Sequence, residues 1–195
     1  MKNVMYILGI TVVFFVGVFV YDSFKNKPLG GDFVLIDSDG RTVTQADIRS
    51  RPSAIFFGFT MCPESCPVTL ANLDRWLTEL GKKADKLGVW FVTVDPERDT
   101  PEVLHDYLSN FTSKITGISG EPEKVHAMVD SFNIVAEKVP GMNGNYTFNH
   151  TAAIFLLKKG GKLSGVIPYE TGDIDYDVKD EIAIKQLRKL VSNQD

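Results

Sequence analysis

The chain has 195 residues, a formal charge of −4 and 44% apolar residues, a profile that fits one ordinary globular domain plus a short non-globular segment. The acidic balance, with no cluster of Lys or Arg, argues against nucleic acid as a partner. No repeat of solenoid length and no low-complexity tract is present.

Residues 1–4 form a short tail. From Met5 to Tyr21 the sequence MYILGITVVFFVGVFVY carries no charge, and about 17 residues is the short end of what spans a bilayer as a helix. Tyr6 and Tyr21 stand at its ends, where interfacial aromatics belong. The run is long for the apolar part of a signal peptide, and no small-x-small cleavage site follows, so a retained single-pass anchor is expected over a cleaved leader. Lys2 on one side and Lys25 and Lys27 on the other leave the orientation close to a tie. Residues 22–31, ending in Pro and Gly-Gly, read as a tether, and residues 32–195 as the folded domain.

Two short apolar runs flank Asp39-Gly40, a hairpin signal. SAIFFGFT is a near-continuous apolar run, as expected of a strand covered on both faces. The cysteine segment follows. Pro67 then opens a helix with Leu70, Leu73, Leu77, Leu80, Ala84 and Leu87 on one face, and Gly88 is placed to close it. GVWFVTVD reads as a second buried strand. Thr100-Pro101 reads as a cap and first turn, starting a helix that runs to Phe111. KITGIS suggests a short strand. Pro122 starts another helix, with Val125, Met128, Val129 and Phe132 inward. PGMNGNYTFN reads as a Gly/Asn-rich loop. TAAIFLLKKGGKLSGVIPY reads as strand, tight turn and strand, and a final helix carries Ile182, Ile184, Leu187, Leu190 and Val191 inward. Alternating strands and helices predict an α/β domain: a largely parallel central sheet with helices on both faces, an N-terminal hairpin and an antiparallel last pair. A cysteine pair at a strand end, just before a helix, is the thioredoxin-like arrangement.

Both cysteines lie in GFTMCPESCPVTL, and each precedes a proline. Proline pushes its predecessor out of the helical region, so Cys62 and Cys66 are expected in a loop, with Cys66 at the helix mouth. Unpaired N–H groups and a partial positive charge there favour thiolate, and both thiol pKa values are expected to be depressed. A loop can bring the sulfurs within bonding range, so a stapling disulfide, a thiol–disulfide redox pair and a metal site all remain open. A redox pair of the thioredoxin type has one residue fewer between its cysteines. Two thiolates leave a zinc site incomplete, whereas copper accepts thiolate and imidazole together. Of the three histidines, His105 and His126 sit beside the apolar stripes of their helices and read as solvent-facing. His150 stands where the Gly/Asn-rich loop meets a buried strand. It is either a third ligand or a strand-end residue hydrogen-bonded to a turn.

These residues resemble the Sco/SenC family of copper-binding proteins that assemble cytochrome oxidase. GFTMCPESCP is similar to that family's C-P-x-x-C-P segment, TVDPERDTP to its D-P-x-R-D-T stretch, and NHTAAIFLL to its D-H-[ST] strand. With the anchor, the resemblance covers essentially the whole chain. It implies that Cys62, Cys66 and His150 bind one copper ion. It implies a thioredoxin-like domain facing the periplasm, or the intermembrane space in mitochondria. It also implies a metallochaperone role in building the dinuclear copper centre of oxidase subunit II, by copper delivery, by reduction of that subunit's cysteines, or by both. Two positions depart from the pattern: Met61 stands where His is frequent, and Asn149 where Asp is frequent. Met61 is expected as packing or a soft auxiliary ligand, and Asn149 as a group that orients His150. Asp95-Pro96 reads as a strand-ending turn and Arg98–Asp99 as a local ion pair. DIDYDVKDE lacks the glycine a calcium loop of the EF-hand type requires.

Overall fold

In the computed structural model, residues 28–141, 145–169 and 176–192 are described. The expected anchor at 5–21 and most of the tether at 22–31 lie outside them. Among the described residues, no helix is long and apolar enough to cross a membrane.

The elements follow in the order β1 (Val34–Asp37), β2 (Thr42–Thr44), α1 (Gln45–Arg49), β3 (Ser53–Gly58), α2 (Ser65–Leu80), a 3-10 helix (Gly81–Lys86), β4 (Gly88–Thr93), α3 (Pro101–Leu108), β5 (Ile115–Ser119), α4 (Pro122–Ser131), β6 (Ala136–Pro140), β7 (Tyr146–His150), β8 (Ala153–Leu157), β9 (Leu163–Pro168) and α5 (Tyr176–Ser192). One seven-stranded sheet runs in the order β2-β1-β5-β4-β3-β8-β9, and β6 and β7 pair in a sheet of their own. The main sheet is mixed, as expected, but mostly antiparallel rather than largely parallel. Only β3–β4 and β4–β5 are parallel ladders, while β1–β2, β1–β5, β3–β8 and β8–β9 are antiparallel. Short turns join β1 to β2 and β8 to β9 and force those pairs antiparallel, while the unexpected antiparallel pairs, β1–β5 and β3–β8, join strands far apart in sequence.

Every residue of β3 and β4 is buried, which is why both read as unbroken apolar runs. α5 packs against α2, β8 and β9, while α3 packs against β5 and α4 against β1. In α2 the buried positions are Cys66, Thr69, Leu70, Leu73, Trp76, Leu77 and Leu80, a single stripe at helical spacing. The α-helix ends earlier than Gly88, although Ala84 and Leu87 are buried as expected. Gly81 adopts φ +57°, a left-handed conformation that stops the α-helix, and a 3-10 segment continues to Lys86. α3 begins as expected, with the Thr100 hydroxyl accepting from the Val103 N–H at 3.3 Å, but it ends at Leu108. In α5, Ala183, Ile184, Leu187, Leu190 and Val191 are buried, whereas Ile182 is exposed. The segment read as a loop from Pro140 to Asn149 instead contributes most of β7 and the end of β6. The two strands run in register from Ala136↔His150 to Pro140↔Tyr146.

Candidate metal centre

The sulfur arm of the site starts at the end of β3. Gly58 is its last residue, and a Cβ there would lie 2.6 Å from Cys66 Sγ and 2.9 Å from a Phe91 ring carbon. Glycine therefore makes the recess into which the Cys66 sulfur is set. Beyond it, the Cys62 N–H donates to the Phe59 carbonyl at 3.2 Å and closes a turn. Thr60, between them, donates its N–H and its hydroxyl to the Asp99 carboxylate at 3.0 and 2.6 Å. The Thr93 hydroxyl donates to the same carboxylate at 2.7 Å. Asp99 is fully buried, and burial raises its pKa above the ordinary value against the pull of these hydrogen bonds. Arg98 does not pair with Asp99 as the sequence suggested; it pairs with Asp95.

Cys66 lies inside the first turn of α2 rather than in the loop before it. Pro67 is tolerated there because first-turn N–H groups have no intrahelical acceptor to lose. Cys62 remains outside the helix. The Cys66 N–H donates to Cys62 Sγ at 3.4 Å, and Ser65 Oγ lies 3.2 Å from the same sulfur. Both cysteines are unpaired.

His150 ends β7. Its Nδ1–H donates to the Thr151 carbonyl at 3.3 Å, which leaves the Nε2 lone pair facing the sulfurs. Nε2 is 3.7 Å from Cys66 Sγ, and the three donor atoms of Cys62, Cys66 and His150 lie within 4.8 Å of one another. The ring meets Phe59 edge-on at 5.7 Å. His105 and His126 are exposed, and neither belongs to this cluster of donors among the described residues. Met61 is 58% exposed and does not pack into the core. Asn149 is exposed, and the group that orients the imidazole is the Thr151 carbonyl.

The thiols differ. The Cys66 thiol donates to Cys62 and, against the opposing effect of burial and with further help from Ser65 and the Cys66 N–H, brings the Cys62 pKa down to about 3. Cys66 is held well above the ordinary thiol range, because it keeps the proton shared with Cys62 and because it is buried. The expectation that both would be depressed is corrected: one proton serves two close sulfurs. Two thiolates and one neutral imidazole form a soft donor set suited to copper, and less suited to magnesium or calcium. An open cleft lined by Pro63, Glu64, Phe148 and Asn149 leads to Cys62 and His150.

The SCO1/SenC family model matches residues 22–186. The chain belongs to the SCO1/SenC family. Among SCO1/SenC relatives, a SCO2-like protein of Rickettsia felis is 37% identical over 140 residues, covering 70% of this chain and 68% of the relative. A copper-bound ScoI from Bradyrhizobium japonicum is 37% identical, with a TM-score of 0.73, over 83% of this chain and 99% of that one. A copper-bound Sco1 from yeast is 28% identical, with a TM-score of 0.73, over 86% of this chain and 90% of that one. Two site features of this SCO1/SenC chain escaped the sequence reading. Gly58 carries no signal beyond its place at the end of an apolar run. The seating of Thr60 on Asp99 joins residues 39 apart in sequence.

Proposed function

We propose that this protein is a membrane-anchored copper metallochaperone that helps to assemble the dinuclear copper centre of cytochrome c oxidase subunit II or a similar copper protein. The carrying observation is the convergence of Cys62 Sγ, Cys66 Sγ and His150 Nε2 within 4.8 Å, with Cys62 and His150 lining an open cleft and Cys66 buried behind them. Copper-bound relatives on the same fold support the choice of metal. In this reading Cys62 and Cys66 hold the cargo as thiolates and His150 completes a three-donor site. Three donors and an accessible edge leave room for a ligand from the recipient, so the ion can pass on without being released to water. Residues 5–21 form a single-pass anchor in the inner membrane, and the domain works in the periplasm, or in the intermembrane space if mitochondrial. The full-length protein, loaded anaerobically with copper(I), takes up one ion per chain. Cys62→Ser or Cys66→Ser removes it, and His150→Ala weakens it. Unchanged stoichiometry and affinity in all three variants would refute the site.

The asymmetry of the thiols favours one second reading, a thiol–disulfide reductase for the same or another extracytoplasmic partner. The Cys62 thiolate would attack a partner disulfide, and the buried Cys66 would then resolve the mixed disulfide, leaving a Cys62–Cys66 bond and a reduced partner. Thiol trapping separates the readings. A mixed disulfide through Cys62 that turns over with copper chelated favours reduction.

A further inference from the structure

The segment from Asp95 to Asp99 touches both arms of the site and supplies no ligand. Asp99 serves the sulfur arm through Thr60. Asp95 and Arg98 serve the other arm. The Arg98 side chain is 22% exposed, and the Asp95 carboxylate it pairs with is 1% exposed. The guanidinium lies 3.8 Å over the Tyr146 ring, and its Nη1 donates to the Tyr146 carbonyl at 3.1 Å and to Asn145 Oδ1 at 3.3 Å. The Tyr146 hydroxyl donates to Asp95 Oδ1 at 2.9 Å. The Lys138 ammonium lies 3.8 Å from the centre of the same ring. Tyr146 is thus fixed by its backbone, its ring and its hydroxyl.

Tyr146 opens β7 and His150 closes it. Residues two apart on a strand share a face, so Tyr146, Phe148 and His150 form one row. Tyr146 meets Phe148 at 5.9 Å, Phe148 meets Phe59 at 5.6 Å, and Phe59 meets His150. A two-stranded sheet is marginal alone, and β6–β7 shares no ladder with the main sheet. Its seat depends on side chains.

We infer that Arg98 and Tyr146 are positioning residues. They clamp the hairpin to the loop that also holds Thr60, and so set the separation of the imidazole from the two sulfurs. The inference rests on the copper reading only for its metal-binding consequence; the clamp itself is a property of the metal-free protein.

The test uses the full-length protein with Arg98→Met and, as a variant that removes only a hydroxyl, Tyr146→Phe. In the metal-free Arg98→Met protein, amides of 146–150 exchange with deuterium about tenfold faster, while those of β3 keep their protection. Copper(I) affinity, measured by competition with a chelator, falls about tenfold, the lower range for loss of a group that orients a ligand. In a His150→Ala background, Arg98→Met produces no further fall. Asp99→Asn, which disturbs the sulfur arm, lowers affinity in both backgrounds. Unchanged exchange over 146–150 in Arg98→Met, or equal affinity losses with and without His150, overturns the inference. If Arg98→Met does not fold, Tyr146→Phe carries the same two readouts, with the same result required. Faster exchange in a protein whose wild type binds no copper leaves the clamp standing and refutes the copper reading instead.

Discussion

The two arms of the site are built by different physics. The sulfur arm grows from β3, whose residues are all buried, and its Cys66 sulfur sits in a recess made by the missing side chain of Gly58. The histidine arm is a polar, half-buried two-stranded sheet held by charged groups and aromatic edges. Close packing tolerates almost no change in volume, whereas contacts near the surface are individually weaker and partly screened by solvent. The sulfurs are therefore placed inside the core, and the imidazole by polar and aromatic contacts at its edge, anchored on the buried Phe59 and Asp95.

The widest contrast lies within the sulfur arm. Cys62, with its pKa near 3, stays thiolate through the neutral range and well into acid, while Cys66 stays protonated. In the metal-free protein, alkylation at pH 6 followed by peptide mass spectrometry should favour Cys62 by about two orders of magnitude. Comparable labelling of both sulfurs would erase the asymmetry. Next in size is Gly58→Ala. The new methyl overlaps Cys66 Sγ, and the expected cost is about 1–3 kcal/mol in thermal or denaturant unfolding. A neutral result would mean that the recess is not tight. Phe148→Ala strips two ring contacts from the histidine arm and should cost about 1 kcal/mol globally, less than Gly58→Ala. A larger global loss would show that the hairpin belongs to the cooperative core. The smallest effect is expected at Tyr107, whose buried hydroxyl has no hydrogen-bond partner among the described residues. Tyr107→Phe removes an unsatisfied polar atom and should leave stability unchanged or raise it by about 1 kcal/mol.

The same contrast explains what was legible in the sequence. β3, β4 and the stripe of α2 were readable because burial on both faces, or on one helical face, writes itself as apolar runs and 3.6-residue spacing. The cysteine pair and His150 stood out by residue type and by their places at element ends. The β6–β7 hairpin was hidden because Gly and Asn signal a loop, and because its strands bury little. The one trace was the alternation of Tyr146, Phe148 and His150. Helix ends went astray at Gly81, where a left-handed glycine stopped the α-helix although the buried stripe continues through Ala84 and Leu87. The role of Asp95, Arg98 and Asp99 was unreadable in principle, since each acts on a residue far away along the chain.

The separate sheet of β6 and β7 bears on how the proposed copper site would release its ion. Swinging that flap outward breaks no rung of the seven-stranded wall behind it. Under the copper reading, outward movement of the flap would withdraw the imidazole alone and leave both sulfurs where the core places them.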